Sequence, residues 1–365
     1  MAPVILALQQ QDWAEVRVLA TAQHRQMLDQ VLAFFSIKAD IDLDLMRPNQ
    51  SLSALTGRIL LEMDAVLSND RPDVVLVQGD TTTVMTVSLA CFYHRVAIGH
   101  VEAGLRTWDS YNPFPEEMNR VMTGRLAQWH FAPTASSAAN LRKEGVSEAA
   151  ISITGNTVID ALLMTAERDF DLNAALEHAV PADKRLVLVT CHRRENFGEP
   201  LQAICQAILS LAQNNPDIHV LFPVHPNPNV RQVVEQTLAA QANIQLCAPL
   251  DYAPFIAAMK RAYLIISDSG GVQEEAPALG KPVLVLRDET ERPEAAECGV
   301  VALVGANQQR IQTLAQALLD DSQAYLAMAR GVSPYGDGLA AQRIADQLQR
   351  DLFPQEAPTD SLQAA

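Results

Sequence analysis

The residues best suited to chemistry sit in the run Leu264-Ile-Ile-Ser-Asp-Ser-Gly-Gly-Val-Gln-Glu-Glu-Ala-Pro-Ala-Leu-Gly-Lys-Pro-Val283. An apolar strand ends at Asp268, Ser269-Gly270-Gly271 turn, and a helix runs to Leu279 with Gly280 as its cap. Such a turn aims backbone N–H groups and the positive end of a helix dipole at one point, and glycines let a phosphate approach. Taken alone, Ser-Gly-Gly also suits a routine strand-to-helix turn. Glu274-Glu275 one turn in favours a nucleotide, because a carboxylate there accepts both hydroxyls of a ribose while phosphates lie at the helix start. Arg287 and Arg292, just past the next strand, are candidate cations, although each read singly is an ordinary surface arginine.

A second group is acidic. Leu76-Val-Gln-Gly-Asp-Thr-Thr-Thr83 places Asp80 at the carboxyl edge of a strand, where open α/β sheets hold ligands; the alternative is an N-cap for the following helix. His100-Val-Glu-Ala-Gly-Leu-Arg-Thr107 places Glu102 at the end of the next strand. Pro115 starts a helix with Glu116 and Glu117 in its first turn, a position that the helix dipole also favours. Carboxylates gathered on one edge divide acid and base work when their surroundings separate their proton affinities. His192 and His225 follow two strands of the second half, in Thr190-Cys-His-Arg-Arg-Glu-Asn196 and Pro223-Val-His-Pro-Asn-Pro-Asn229. A lone histidine there is otherwise structural.

Parallel strands must position these groups. Val74–Val77, Val96–His100 and Trp129–Ala132 in the first half, and Leu186–Thr190, His219–Pro223, Tyr263–Ser267 and Pro282–Leu286 in the second, are short apolar runs, each followed by a turn and a helical stretch. Continuous apolarity marks strands buried on both faces. A chain of 365 residues accommodates two such α/β domains. The polar stretch Asp169–Asp183 separates them. The expected organisation is 1–168, 169–337, a final helix at 338–352 and a disordered tail at 353–365.

A net charge of −16 argues against a nucleic-acid partner, which requires clustered Lys and Arg. No apolar run reaches the roughly 20 residues of a membrane span, and the opening residues lack a basic leader pattern. Cys91, Cys191, Cys205, Cys247 and Cys298 are odd in number and widely spread, which fits reduced core thiols of a cytoplasmic protein and no metal site.

Taken together, the sequence closely resembles the non-hydrolysing UDP-N-acetylglucosamine 2-epimerase family, from Met1 to about Leu352. The resemblance rests on Thr21-Ala-Gln-His-Arg-Gln-Met-Leu-Asp-Gln30, Gly79-Asp-Thr-Thr-Thr83, His100–Thr107, Pro115-Glu-Glu-Met-Asn-Arg120, Ile153-Thr-Gly-Asn-Thr-Val-Ile-Asp160, His192-Arg-Arg-Glu-Asn196, Asp268–Gly271, Glu291-Arg-Pro-Glu294 and Pro334-Tyr-Gly-Asp-Gly338. It implies two Rossmann-like domains in the glycosyltransferase-B architecture, with the site in the cleft between them, and a last helix returning to the N-terminal domain. It implies interconversion of UDP-GlcNAc and UDP-ManNAc through a 2-acetamidoglucal, supplying ManNAc for cell-surface polysaccharide, in a cytoplasmic homodimer without metal, nicotinamide or membrane. The residues implied to touch UDP are His192, Phe255, Ser269, Gly270, Gly271, Glu275 and Arg292. Acid/base and sugar-contacting roles map onto Asp80, Glu102 and Glu116, with His192 nearby. A regulatory UDP-GlcNAc site maps onto Gln23, Gln26, Arg193 and His225.

This sequence departs from the family at Asn49, where relatives have an arginine, and at Leu250, where they often have Gln. It also begins at the Met-Ala-Pro helix, whereas relatives open with a strand and a Gly-Thr-Arg-Pro-Glu-Ala-Ile-Lys loop. The expectation is a first domain without its first strand, and without an Arg and a Lys facing the diphosphate. Rival readings are a nucleotide-sugar-binding remnant, or a hydrolysing epimerase or glycosyltransferase on the same fold.

Overall fold

The computed structural model describes residues 1–21, 25–45, 47, 50–290 and 292–354. The expected tail therefore lies almost wholly outside the described residues, as do Gln23, Asn49 and Glu291; of Gln26 only the backbone is described, in the helix Arg25–Phe34. The described residues form two compact units, one within 1–161 and 338–354, the other within 162–337. The division falls inside the helix Thr157–Ala166, ahead of the polar stretch that marked it in the sequence.

In the first unit, β1 (Leu19–Ala20) and β2 (Ile41–Asp42) pair with each other alone. The strands β3 (Val74–Gln78), β4 (Ala97–Val101), β5 (Trp129–Ala132) and β6 (Ile151–Ile153) form a parallel sheet in that order. Ile98, Val101, Phe131 and Ala132 are buried because helices cover both faces. The helix Ala340–Leu352 belongs to this unit and packs on the helix Ala2–Gln9, its Ala341, Ile344, Ala345 and Leu348 sharing a cluster with Val4, Leu8, Val101 and Phe131. Asp160 Oδ1 accepts from its Ala341 N–H at 2.7 Å, and Arg343 donates to the Thr154 carbonyl.

The second unit holds β7 (Arg185–Thr190), β8 (Ile218–Pro223), β9 (Ile244–Cys247), β10 (Ala262–Ser267), β11 (Val283–Val285) and β12 (Val301–Leu303), all parallel. Their order is β12-β11-β10-β7-β8-β9, a doubly wound sheet whose order reverses between β7 and β10. Leu186, Val187, Leu188 and Val189 are wholly buried, as are Leu264, Ile265 and Ile266 beside them. All five cysteines are free, three of them buried, while Cys298 is exposed rather than in a core.

Candidate functional site

In the first unit β3 delivers Asp80 through Gly79, whose φ of +81° suits glycine. The helix Thr82–Tyr93 is capped by Thr81, which accepts from the Val84 N–H, so the helix does not use Asp80 as its cap. Arg120 grips that carboxylate instead: its Nε and Nη2 donate to Asp80 Oδ2 at 3.0 and 2.7 Å. Arg120 Nη1 also donates to Glu117 at 3.0 Å, and Glu117, nearly buried, accepts from the Thr107 and Trp108 amides. Asn119 donates to the Asp80 carbonyl. Glu117, Asn119 and Arg120 all lie in the helix Glu116–Leu126, so the element that carries Glu116 also fixes Asp80.

Glu102 takes a left-handed conformation, φ +65°, at the end of β4. Its Oε2 lies 3.5 Å from Gln78 Nε2 and 3.6 Å from where a Cβ on Gly79 would be. Glu116 Oε2 is buried and has no hydrogen-bond partner among the described residues. Such an atom is expensive to hide unless a ligand or water completes it. His100, wholly buried, donates from Nε2 to the Gly79 carbonyl at 2.8 Å, and burial pushes its pKa down to about 4, so the ring is neutral and its tautomer set. Asp80 and Glu102 thus stand at the carboxyl ends of β3 and β4, and Glu116 opens the helix whose Asn119 and Arg120 hold Asp80. Arg106, in the same sequence run as Glu102, is committed elsewhere, to a buried bidentate pair with Glu144.

In the second unit the candidate groups surround the reversal between β7 and β10, where a doubly wound sheet opens a crevice. Ser269 makes no side-chain cap for the helix Gly270–Ala278, leaving the first-turn amides to other acceptors. A Cβ on Gly270 would meet Arg292 Nη1 at 2.7 Å, so the guanidinium lies directly over this turn. Arg292 is held there by Glu274, and Thr290 ties the loop down by accepting from the Arg292 N–H at 3.1 Å and donating to Gln273 at 2.7 Å. Glu275 is buried, and burial together with neighbouring Glu274 pushes its pKa up to about 8. Tyr252, whose pKa burial and Glu275 raise to about 12, opens the helix Tyr252–Arg261 that carries half-buried Phe255.

His192 keeps 46% of its side chain exposed, with Nδ1 3.0 Å from the wholly buried Asp268. Arg193 follows, its amide also on Asp268; His225 accepts from the Asn227 N–H beyond β8. Arg287 faces Glu195 at 3.2 Å. Sequence reasoning singled out neither Asp268, Arg120 nor Gln78 as site residues, because each acts through a partner distant in sequence. Among the described residues no cluster of three or more His, Cys, Asp or Glu could hold a metal ion. A cavity of about 600 Å³ lined by Thr165, Phe170, Leu172, Val180, Ile256 and Arg261 includes none of the candidate residues.

A family model described as UDP-N-acetylglucosamine 2-epimerase matches residues 6–349. A Yersinia pestis protein named UDP-N-acetylglucosamine 2-epimerase is 53% identical over 355 residues, 96% of this chain and 94% of its own. The Escherichia coli K12 protein of that name is 50% identical over 357 residues, covering 96% and 95%. A solved structure from Neisseria meningitidis, described as UDP-GlcNAc 2-epimerase bound to UDP-GlcNAc, has 47% identity, 96% coverage of both chains and a TM-score of 0.86.

Proposed function

The chain belongs to the UDP-N-acetylglucosamine 2-epimerase family, and from that premise we propose that it inverts C2 of UDP-GlcNAc to give UDP-ManNAc. The observation that carries this reading is the nearly end-to-end match to relatives so named. The geometry supports it: carboxylates in one unit, an open amide turn with an arginine over it in the other. C2 of the sugar has no carbonyl neighbour, so direct deprotonation is unattractive. Cleavage of the C1–O bond, with the electron pair leaving on UDP and the C2 proton passing to a carboxylate, gives 2-acetamidoglucal and UDP. Re-addition of UDP at C1, with a proton delivered to the opposite face of C2, completes inversion.

Asp80, Glu102 and Glu116 are the proposed acid/base and sugar-contacting groups. Ser269, Gly270, Gly271 and Arg292 are proposed to take the departing diphosphate, Glu275 the ribose, and His192 and Phe255 further parts of the nucleotide. Turnover in D₂O with product analysis tests the scheme. UDP-ManNAc carrying deuterium at C2 is expected; free ManNAc with UDP would mean hydrolysis, and unlabelled UDP-ManNAc would reject the elimination route.

Regulation by a second UDP-GlcNAc is proposed from the resemblance of Gln23, Gln26, Arg193 and His225. UDP-ManNAc alone is then expected to turn over poorly until a trace of UDP-GlcNAc is added; equal rates with and without it would remove the regulatory site. A cytoplasmic homodimer supplying ManNAc for cell-surface polysaccharide is proposed on the same ground. Among the described residues no helix is long and apolar enough to cross a membrane. The exposed Tyr111, Phe114, Met118 and Met122, on and just before the helix Glu116–Leu126, support a second copy as partner, which sedimentation measures.

A further inference from the structure

We propose that Asp268 is a positioning residue that sets the tautomer and aim of His192, so that the imidazole presents Nε2 to the bound nucleotide. This rests on the reading that His192 faces the nucleotide-sugar. Asp268 closes β10 on the axis where the sheet order reverses, and its side chain is wholly buried. Its oxygens accept from the His192 amide at 2.9 and 3.2 Å, the Arg193 amide at 2.9 Å and Asn196 Nδ2 at 3.0 Å. Burial alone would raise its pKa; hydrogen bonds from His192, the Arg193 amide and Asn196 outweigh that and hold it at about 2. Two backbone amides and the Asn196 amide all donate to its oxygens, which is the setting of a carboxylate, and a carboxylate only accepts.

Beside the buried Cys191 thiol, itself a donor, His192 Nδ1 lies 3.0 Å from Oδ1 and must then carry a proton to face it. The outward edge of the half-exposed ring is consequently Nε2, a lone pair when the ring is neutral and an N–H donor once it takes a proton there. A proton gained at Nε2 leaves from Nε2, so the group returns to its starting state and Asp268 never changes charge.

The same carboxylate fixes more than the ring. It is bonded to the backbone of both His192 and Arg193, and it directly precedes Ser269, Gly270 and Gly271. Thr190 and Ser267, paired in register on β7 and β10, bond to each other at 2.6 Å through their hydroxyls, and Ser267 Oγ accepts from the Ser269 amide. Asn196 bridges onward to the Leu286 carbonyl. The imidazole and the amide turn are thus positioned by one buried group.

Nitrogen-15 NMR of the full chain with labelled histidine reads this, His192→Asn supplying the assignment. The expected wild-type spectrum shows His192 protonated at Nδ1 at neutral pH, with or without UDP. In Asp268→Asn the amide presents a donor among donors, so the Nδ1-protonated population is expected to fall, and kcat/KM for UDP-GlcNAc to drop about 10²-fold or more, the scale on which a misheld imidazole costs rate. A wild-type His192 protonated on Nε2 alone overturns the proposal, whether or not the variant folds. A folded variant with unchanged Nδ1 protonation, or with undiminished kcat/KM, also overturns it. Were the wild type to show the Nδ1 proton yet lack epimerisation, the proposed function would fail while the positioning stood.

Discussion

At the scale of single residues the candidate site divides into groups proposed to face a ligand and groups that hold them. Asp80, Glu102 and Glu116 are proposed as the first kind, and Asp80→Asn, Glu102→Gln and Glu116→Gln are each expected to lower kcat about 10²-fold or more, the usual loss for a general acid or base. Near-normal kcat in all three would make the cluster structural. Glu117 and Arg120 are the second kind; Arg120 spans Glu117 and Asp80 and so joins the helix Glu116–Leu126 to the end of β3. The positions of Asp80 and Glu102 after β3 and β4 were legible because strand ends in α/β sheets are marked by the turns that follow them, and Glu116 because Pro115 opens its helix. The holding groups were not. Asp268 stands inside the most conspicuous run of the sequence, yet its partner His192 is 76 positions away, and Arg120 is 40 positions from Asp80. Chemistry read along a chain finds reactive residue types; which of them is buried, and against what, appears only when strands are laid side by side.

At the scale of elements, long strands buried on both faces were visible as apolar runs, while β6, β9 and β12 escaped notice. These lie at sheet edges, where three or four residues meet one neighbour and need less apolarity. The two-residue β1 and β2 are shorter than any pattern can mark. Within the run His100–Thr107 the glycine serves architecture: Gly104 has φ +91°, and a Cβ there would stand 2.3 Å from the Ser137 carbonyl oxygen. Gly104→Ala is therefore expected to destabilise by about 2 kcal/mol or more, since both backbone strain and a collision with main chain must be relieved. Gly57, inside the helix Leu52–Asn69 with nothing within 4 Å of its would-be Cβ, is the matched control. Gly57→Ala is expected to be stabilising, by up to about 1 kcal/mol. Thermal melts of the two variants check both signs, and equal effects would refute the steric account.

At the scale of the whole molecule, buried groups of the two units are expected to couple stability to pH with opposite signs. In the first, burial lowers the pKa of His100 and His130 to about 4, below the value near 6.5 of an unfolded chain. The unfolded state then binds more protons, and this contribution to stability is lost as pH falls from about 6.5 through 4. In the second, Glu275 is raised to about 8 from an unfolded value near 4.3. Its folded form holds the extra proton, so stability present at low pH is lost as pH rises through 8. Calorimetry between roughly pH 5 and 8 is expected to show the first unit's transition rising relative to the second's, with Glu275→Gln flattening the second's alkaline decline. An unaltered decline in that variant would dismiss Glu275 as its source. The alternation of strands and helices suggested two α/β units, but the polar stretch Asp169–Asp183 lies beyond the division after Ala161; that residues 338–352 return to the first unit was suggested by resemblance alone.

That return sets an order of manufacture. A ribosome completes residues 1–161, then all of the other unit, before it makes the helix that shares a core with Val4, Leu8, Val101 and Phe131. At about 5 to 20 residues per second the delay is roughly ten to thirty-five seconds, during which a nascent chain carries an uncovered apolar face that chaperones will recognise. Of the two units the one translated earlier is the later to close, and a stop codon just after Gly338 would leave residues 162–337 folded and the earlier unit exposed.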